Sequence, residues 1–170
     1  MAAAQKAAAI DGLTGIMNCK SFRKNIAEIL KNMSAGKCGI LIDGDHFKRI
    51  NDTCGHTAGD DVIRLVAQMI VGRIRTVDLA SRLHGDEFAI FLSDIQDPSI
   101  GQRVMSDINV SLAEESVLRG LPAITLSAGA VFVRYGDKYS ELIKAADAAL
   151  YKAKSTHDGR FVLAEKPSVH

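Results

Sequence analysis

The sequence predicts a mixed α/β (α+β) domain in which helices flank a central sheet. Short apolar runs that suit buried strands alternate with longer segments whose apolar residues recur at helical spacing. Two strand-like runs, 78–83 and 88–92, are separated by only four residues, which predicts an antiparallel hairpin. A hairpin among alternating helices and strands favours a mixed sheet over a purely parallel one.

The first half of the chain contains a predicted helix, a predicted strand and a long polar segment. Apolar side chains lie on one face of the helix predicted at 20–33, which Asn18 or Ser21 is suited to cap. Residues 38–43 (CGILID) form a short apolar run that suits a buried strand. The segment 44–61 is polar and rich in glycine, and a loop of that length in a compact domain is often functional.

The second half of the chain continues this alternation. An amphipathic helix is predicted at 60–75, ahead of the hairpin, and another helix at 99–118 follows the hairpin. The apolar run 123–133 predicts a strand, the alanine-rich segment 139–154 predicts a helix, and 160–164 predicts a short closing strand.

Length, composition and charge limit the class of protein. The 170 residues suit one domain, and an apolar content of 47% is enough to fill a core. We expect the domain to span 11–165, with a linker helix or an appended remnant at 1–10 and a tail at 166–170. A net charge of +1 without a basic run argues against a nucleic-acid partner, and no apolar stretch predicts a membrane segment.

The start of the chain and the cysteines indicate the compartment. The start lacks the charged-then-apolar order of a signal peptide. The cysteines are odd in number and lack metal-type spacing, which favours reduced thiols; they are Cys19, Cys38 and Cys54. These features predict a cytoplasmic protein.

Three carboxylates are expected to meet at one edge of the sheet. Asp43 ends the first predicted strand, and Asp86 and Glu87 occupy the hairpin turn. Close negative charges are costly without a cation, and Mg²⁺ prefers such oxygen ligands. Gly44 lets the backbone approach closely enough for its carbonyl to add a ligand, whereas Asp45 is a less favoured candidate. The alternative is that these are solvated turn residues, which are ordinary beside glycine.

The long polar segment adds groups that suit a purine nucleotide. Lys48 is a candidate partner for phosphate, and Asn51 and Asp60 are candidates to bind the edge of a guanine. Taken singly, each residue favours a structural role, Asn51 as a turn former and Asp60 as a helix cap. Together with the carboxylates, they indicate a nucleotide site.

Four motifs in order resemble the GGDEF domain of bacterial diguanylate cyclases. They cover almost the whole chain: DGLTGIMN at 11–18, LIDGDHFKRINDTCGHTAGDD at 41–61, RLHGDEF at 82–88 and ADAALYKAK at 146–154. The resemblance implies a fold with a central five-stranded mixed sheet flanked by helices, similar to the palm of nucleotide cyclases and polymerases. It also implies an enzyme that joins two GTP molecules into cyclic di-GMP in a homodimer with Mg²⁺ or Mn²⁺, commonly behind an N-terminal sensor domain.

The resemblance implies a role for individual residues of this sequence. Asp43, Asp86 and Glu87 would bind metal and serve catalysis, Glu87 would help to activate the 3′-hydroxyl, and the Gly44 carbonyl would complete the metal shell. The implied nucleotide-binding residues are His46, Phe47, Lys48, Asn51, Asp60, His84, Gly85 and Lys154.

The segment RTVD at 75–78 matches the family's inhibitory motif for cyclic di-GMP. Five residues separate Asp78 from His84, which is the spacing the family has. An arginine fork can hold guanine or phosphate, and an aspartate can accept from guanine N–H groups. The alternative is that Arg75 and Asp78 are solvated residues at a helix end.

Two positions depart from the family pattern. His84 stands where the family has a glycine close to the nucleotide, so its imidazole would either crowd the ligand or bond to it. Asp158 stands where the family has an arginine that contacts phosphate, and Arg160 is a candidate to replace it. These departures favour an alternative to an active cyclase, a degenerate domain that senses cyclic di-GMP or GTP. A dimerising or scaffold module is a third alternative.

Overall fold

The computed structural model describes residues 9–32 and 36–165. Its helices there are α1 (Cys19–Lys31), α2 (Phe47–Cys54), α3 (His56–Val71), α4 (Ser99–Arg119) and α5 (Tyr139–Ala153). Its strands are β1 (Met17–Asn18), β2 (Lys37–Gly44), β3 (Leu79–His84), β4 (Glu87–Leu92), β5 (Leu126–Val133) and β6 (Phe161–Leu163).

The strands form one mixed sheet in the order β1-β3-β4-β2-β5-β6. The four inner strands pair with one another in antiparallel fashion, whereas β1 runs parallel to β3 and β6 runs parallel to β5. The predicted mixed sheet with flanking helices is therefore confirmed. It has six strands instead of five, because β1 is a strand of two residues, too short to leave a pattern in the sequence.

Helices cover both faces of the sheet. Ile40 and Ile42 of β2 point into a core shared with α3 and α4, while Leu41 points into a second core shared with α1 and α5. A strand that is buried on both faces reads as a continuous apolar run, which is why β2 could be predicted from sequence.

The predicted loop at 44–61 is wrong in part, since most of it is helical. It contains all of α2, and α3 begins at His56, ahead of the predicted start at residue 60. Asp60 therefore lies inside α3 and does not cap it, and Asn51 lies inside α2 and not in a turn. The helical signal was weak because α2 is short and buries only Ile50 along its length.

The other elements differ from prediction mainly at their ends. Asn18 caps α1, since its Oδ1 accepts a hydrogen bond of 2.9 Å from the backbone N–H of Ser21. Strand β5 begins at Leu126, three residues later than predicted. The predicted tail at 166–170 and most of the predicted linker at 1–10 lie outside the described residues. Within the described ranges, no helix has the length and apolar character needed to span a membrane.

The three cysteines are free thiols, as predicted. Cys38 is buried in β2, and this burial raises the pKa of its thiol to about 12. Cys54 is exposed at the end of α2.

Helix α5 lies very close to β5, and this contact fixes where the end of α5 meets the sheet. A Cβ atom at Gly129 would lie 2.1 Å from the backbone nitrogen of Leu150 and 2.4 Å from the carbonyl oxygen of Ala146. Only glycine leaves room for this approach. The close packing directs the end of α5, with Lys154 just beyond it, towards the end of β2.

Candidate active site

The β3–β4 turn is short and tied to the N-terminal part of the domain. Gly85 and Asp86 form the turn, and Gly85 has a φ of 53°, which glycine adopts without strain. The guanidinium of Arg82 donates to the carbonyl of Gly85 at 2.9 Å and also contacts Asp11 at 3.2 Å. The motif at 11–18 therefore helps to hold the turn.

A bulge sets the register at the tip of the hairpin. Arg82 pairs with Phe88, and the next pair is His84 with Glu87, so Leu83 is the extra residue. Without the bulge, Leu83 would face Glu87. The bulge thus places the side chain of His84 directly opposite that of Glu87.

The backbone brings the three predicted metal-binding acids to one edge of the sheet. Asp43 at the end of β2 pairs with Glu87 at the start of β4. Asp86 precedes Glu87, and its carbonyl accepts from the backbone N–H of Gly44 at 3.3 Å. A Cβ atom at Gly44 would lie 3.2 Å from Oδ2 of Asp86 and 2.9 Å from Cδ1 of Ile124, so the position suits glycine.

Asp43 and Asp86 form a close pair of carboxyl groups. Burial, a hydrogen bond with Asp43 and the charge of Asp43 together raise the pKa of Asp86 to about 7. Lys154 contacts the other side of the pair, with its Nζ 2.5 Å from Oδ2 of Asp43. Burial favours the neutral amine of Lys154, but the carboxylates of Asp43, Asp86 and Asp45 outweigh it and raise the pKa of Lys154.

The carboxylate of Glu87 has a different partner. Its Oε2 lies 3.1 Å from Nε2 of His84 at the rim of the site. In the part of the chain that the structure describes, no three His, Cys, Asp or Glu side chains are arranged to hold a metal ion. Glu87 is therefore adjacent to the Asp43–Asp86 pair along the backbone, but the Glu87 carboxylate contacts His84.

The donor chemistry of this edge fits a hard divalent cation. Two carboxyl groups are in contact, and the pKa of Asp86 is raised to about 7. A cation that takes oxygen ligands would offset the repulsion between the two carboxylates. A pocket of about 180 Å³ lies beside them, between the sheet and the end of α5. Its lining includes Asp43, Leu83, Glu87, Asp147, Tyr151 and Lys154.

Asp45 anchors two loops beside the site, a role that the sequence did not reveal. It is buried, and its carboxylate accepts hydrogen bonds from the Thr125 hydroxyl at 2.6 Å, the Ser127 hydroxyl at 2.7 Å and the Gly159 N–H at 2.9 Å. These bonds join the end of β2 to β5 and to the segment after α5. The carboxylate of Asp45 is therefore held by protein groups.

The residues predicted to hold phosphate surround the start of α2. His46 is the residue before the helix, with a φ of 58°, and its ring centroid lies 4.7 Å from that of His157. Phe47 and Lys48 occupy the first turn of α2, where backbone N–H groups have no partner within the helix. The Lys48 side chain is exposed.

The two predicted guanine-binding residues come from adjacent helices. Asn51 lies in α2, and its Oδ1 is 1.9 Å from the place where a Cβ on Gly59 would stand. Gly59 lies in α3 directly before Asp60, which is exposed. The missing side chain at Gly59 thus lets the Asn51 side chain lie against the first turns of α3.

In the predicted inhibitory motif, Asp78 is buried and Arg75 is half-exposed. The Asp78 side chain is 0% exposed, and its carboxylate accepts from the Arg75 guanidinium at 2.9 Å and from the Ser93 N–H at 3.0 Å. Arg75 also donates to the Ser93 carbonyl, and 52% of its side chain remains exposed. Asp78 is therefore not a solvated residue, and Arg75 is the member of the pair that presents surface.

Asp158, which stands where the family has an arginine, and Arg160, the candidate to replace that arginine, have different surroundings. Asp158 is exposed, and its Oδ1 accepts from the Thr156 hydroxyl at 2.6 Å. Arg160 lines a groove with Met105 and Asn109 of α4, on the opposite side of the sheet from α5. Arg160 thus lies away from Lys154 in this structure, and its replacement of the arginine stays a prediction.

Comparison with known proteins agrees with this arrangement. Residues 8–160 match the family model described as diguanylate cyclase, GGDEF domain. The diguanylate cyclase TpbB of Pseudomonas aeruginosa strain UCBPP-PA14 is 33% identical over 91% of this chain and 37% of TpbB. The cyclic di-GMP phosphodiesterase NbdA of P. aeruginosa strain PAO1 is 32% identical over 91% of this chain and 20% of NbdA.

A solved structure extends the likeness to the fold. The coiled coil and GGDEF domain of DgcB from Caulobacter crescentus, in complex with c-di-GMP, superposes with a TM-score of 0.86 at 29% identity. The match covers 96% of this chain and 89% of that one. This chain spans less than two fifths of the length of TpbB and about a fifth of that of NbdA, so it corresponds to one part of those proteins. The motifs, the sheet and these matches together show that the chain belongs to the GGDEF domain family of diguanylate cyclases.

Proposed function

We propose that this domain is a diguanylate cyclase that condenses two GTP molecules into cyclic di-GMP. The carrying observation is the Asp43–Asp86 carboxyl pair at the sheet edge, with Glu87 beside it on the neighbouring strand. In the reaction, the 3′-hydroxyl oxygen of each GTP attacks the α-phosphorus of the other, and pyrophosphate leaves from each. The proposed reaction needs two protomers, each of which holds one GTP.

The carboxylates of Asp43, Asp86 and Glu87 and the carbonyl of Gly44 would hold the divalent metal, Mg²⁺ or Mn²⁺. When bound, such an ion neutralises phosphate charge and lowers the pKa of an attacking hydroxyl. Glu87 accepts the proton of the 3′-hydroxyl on its carboxylate. Its place at the rim supports this role, because 37% of the side chain is exposed to an approaching substrate, compared with 13% for Asp43.

The remaining groups orient the nucleotide. Lys154 pairs with Asp43, and its ammonium group would form an ion pair with a phosphate that enters the site. The backbone N–H groups at the start of α2 and the side chain of Lys48 bind the rest of the triphosphate. Asn51 and Asp60 bind the edge of guanine, with the carboxylate accepting from its amino group. His84 and Gly85 border the nucleotide at the turn.

A second candidate function rests on Arg75. Its guanidinium is held in one orientation by Asp78 and Ser93 and still presents a polar surface. Such a preorganised fork suits guanine or phosphate. It supports either product inhibition of an active cyclase or, without turnover, a sensor of cyclic di-GMP. The dimerising module, the sensor domain and the cytoplasmic location stay predictions.

The test of turnover is incubation with GTP and Mg²⁺ over hours, with the products separated by chromatography. We expect cyclic di-GMP, and a rate at least about 10²-fold lower for Glu87→Gln, since that change removes a group that accepts a proton. Glu115→Gln is the matched control, because Glu115 is also paired and 32% exposed but lies on α4. Full activity of Glu87→Gln would rule out the proposed mechanism.

The test of the second candidate is binding of cyclic di-GMP by calorimetry. Arg75→Ala should abolish binding, whereas Arg73→Ala, two residues beyond the end of α3, should leave it intact, because the Arg73 guanidinium donates to the Ser111 hydroxyl of α4. Binding that depends on Arg75, without any product at high protein concentration, would favour the sensor over the enzyme.

A further inference from the structure

We propose that His84 competes with the metal ion for Glu87 and thereby lowers the metal affinity of the site. This inference rests on the metal site proposed above. It assigns a role to the histidine that replaces glycine in the signature turn. His84 acts through Glu87 and is in this sense a positioning residue.

The first step of the argument is the backbone of the hairpin. Because of the bulge at Leu83, His84 and Glu87 are cross-strand partners. Directly opposite residues of an antiparallel pair point to the same face and lie close together. The register therefore holds the imidazole next to the carboxylate.

The second step is the direction of the Glu87 carboxylate. Glu87 has Asp43 as its partner on one side, in β2, and His84 as its partner on the other, in β3. Its Oε2 lies 3.1 Å from the imidazole Nε2 of His84 in β3, which flanks β4 on the side opposite to Asp43 of β2. This agrees with the observation that, among residues 9–32 and 36–165, no three acidic, cysteine or histidine side chains converge as metal ligands.

The third step is the free-energy balance. A metal ion held by Asp43 and Asp86 gains Glu87 as a ligand only if the Glu87 carboxylate turns from His84 towards it. The lost contact with His84 then subtracts from the metal affinity. The His84 side chain is 76% exposed, so water screens the contact, and a pair of this kind changes an equilibrium by at most about fivefold.

The hairpin allows His84 to be replaced without loss of the turn. The positive φ belongs to Gly85 and not to His84, so alanine fits at residue 84. The turn keeps its bond from Arg82 to the Gly85 carbonyl. His84→Ala therefore removes the imidazole and little else.

The experiment is a titration of the nucleotide-free protein with Mn²⁺, with the free ion followed by electron paramagnetic resonance. We expect His84→Ala to bind Mn²⁺ roughly two- to fivefold more tightly than the unchanged protein. His84→Gln, which keeps a polar group that can reach Glu87, should restore part of the difference. Arg64→Ala removes an exposed ion pair on α3 and should leave Mn²⁺ binding unchanged.

The decisive comparison is a double-mutant cycle with Glu87→Gln. If His84 acts through Glu87, His84→Ala changes Mn²⁺ affinity in the normal background and leaves it unchanged in the Glu87→Gln background. An equal gain in both backgrounds would mean general electrostatics, and no gain or a loss in the normal background would overturn the proposal. If Asp43→Asn and Glu87→Gln also leave Mn²⁺ binding unchanged, the proposed metal site itself fails.

Discussion

At the scale of single residues, Asp45 takes its role from groups in distant parts of the chain.

 Its carboxylate accepts hydrogen bonds from Thr125, Ser127 and Gly159, which lie 80, 82 and 114 residues away along the sequence. All three donors approach a buried carboxylate that has no access to water as a substitute. Asp45 thus fixes the position of the loop that precedes α2.

We predict that Asp45→Asn lowers the free energy of unfolding by about 1–3 kcal/mol, because an amide presents N–H groups to donors and leaves one of them without an acceptor. Urea denaturation followed by circular dichroism measures the change. The matched control is Asp61→Asn, which removes an exposed charge paired with Arg64 and should change the stability by no more than about 0.5 kcal/mol. Equal effects of the two substitutions would contradict the anchoring role.

At the same scale, the sequence was a good guide to which residues lie near one another and a poor guide to their partners. Asp43, Asp86 and Glu87 were expected at one sheet edge, and the strand pairing brings them there. The contact of Lys154 with Asp43 spans 111 residues, and no local pattern encodes such a distance. The role of these residues as metal ligands stays a prediction.

At the scale of secondary-structure elements, the packing of α5 on β5 depends on one glycine. We predict that Gly129→Ala lowers the free energy of unfolding by about 1–3 kcal/mol, because the added methyl group would overlap the backbone of α5 at Leu150 and Ala146. A shift in thermal melting temperature measures this. Gly12→Ala is the control, since a Cβ there meets no atom within 4 Å and the φ of Gly12 is not positive. A melting temperature unchanged by Gly129→Ala would mean that α5 can move away from β5 at little cost.

The elements differ in how far the sequence predicts them. Strand β2 is mostly buried, so its apolar run is visible in the sequence. The β3–β4 hairpin is also visible locally, because Gly85 lies between two apolar runs. Helix α2 was missed because it has eight residues and few apolar contacts, and its polar residues look like those of a loop. The bulge at Leu83 was also missed, since it depends on the pairing of two strands and not on either one alone.

At the scale of the whole molecule, the proposed reaction needs two copies of the chain. We predict that the rate of cyclic di-GMP formation per protein molecule rises with protein concentration and then levels off, because two monomers must meet before the two GTP molecules can react. A dilution series under saturating GTP and Mg²⁺, alongside size-exclusion chromatography at each concentration, measures this. A rate per molecule that stays constant while the protein is monomeric would exclude the two-protomer reaction.

The edge strands of the sheet affect whether copies of the domain aggregate when they meet. The outermost strands within the described ranges, β1 and β6, contain two and three residues. Short edge strands offer few unpaired backbone groups to which a strand of another molecule could add. Concentrated solutions of the domain should therefore resist fibre-like polymerisation, and the pairing that the proposed reaction needs would not lead to irreversible aggregation.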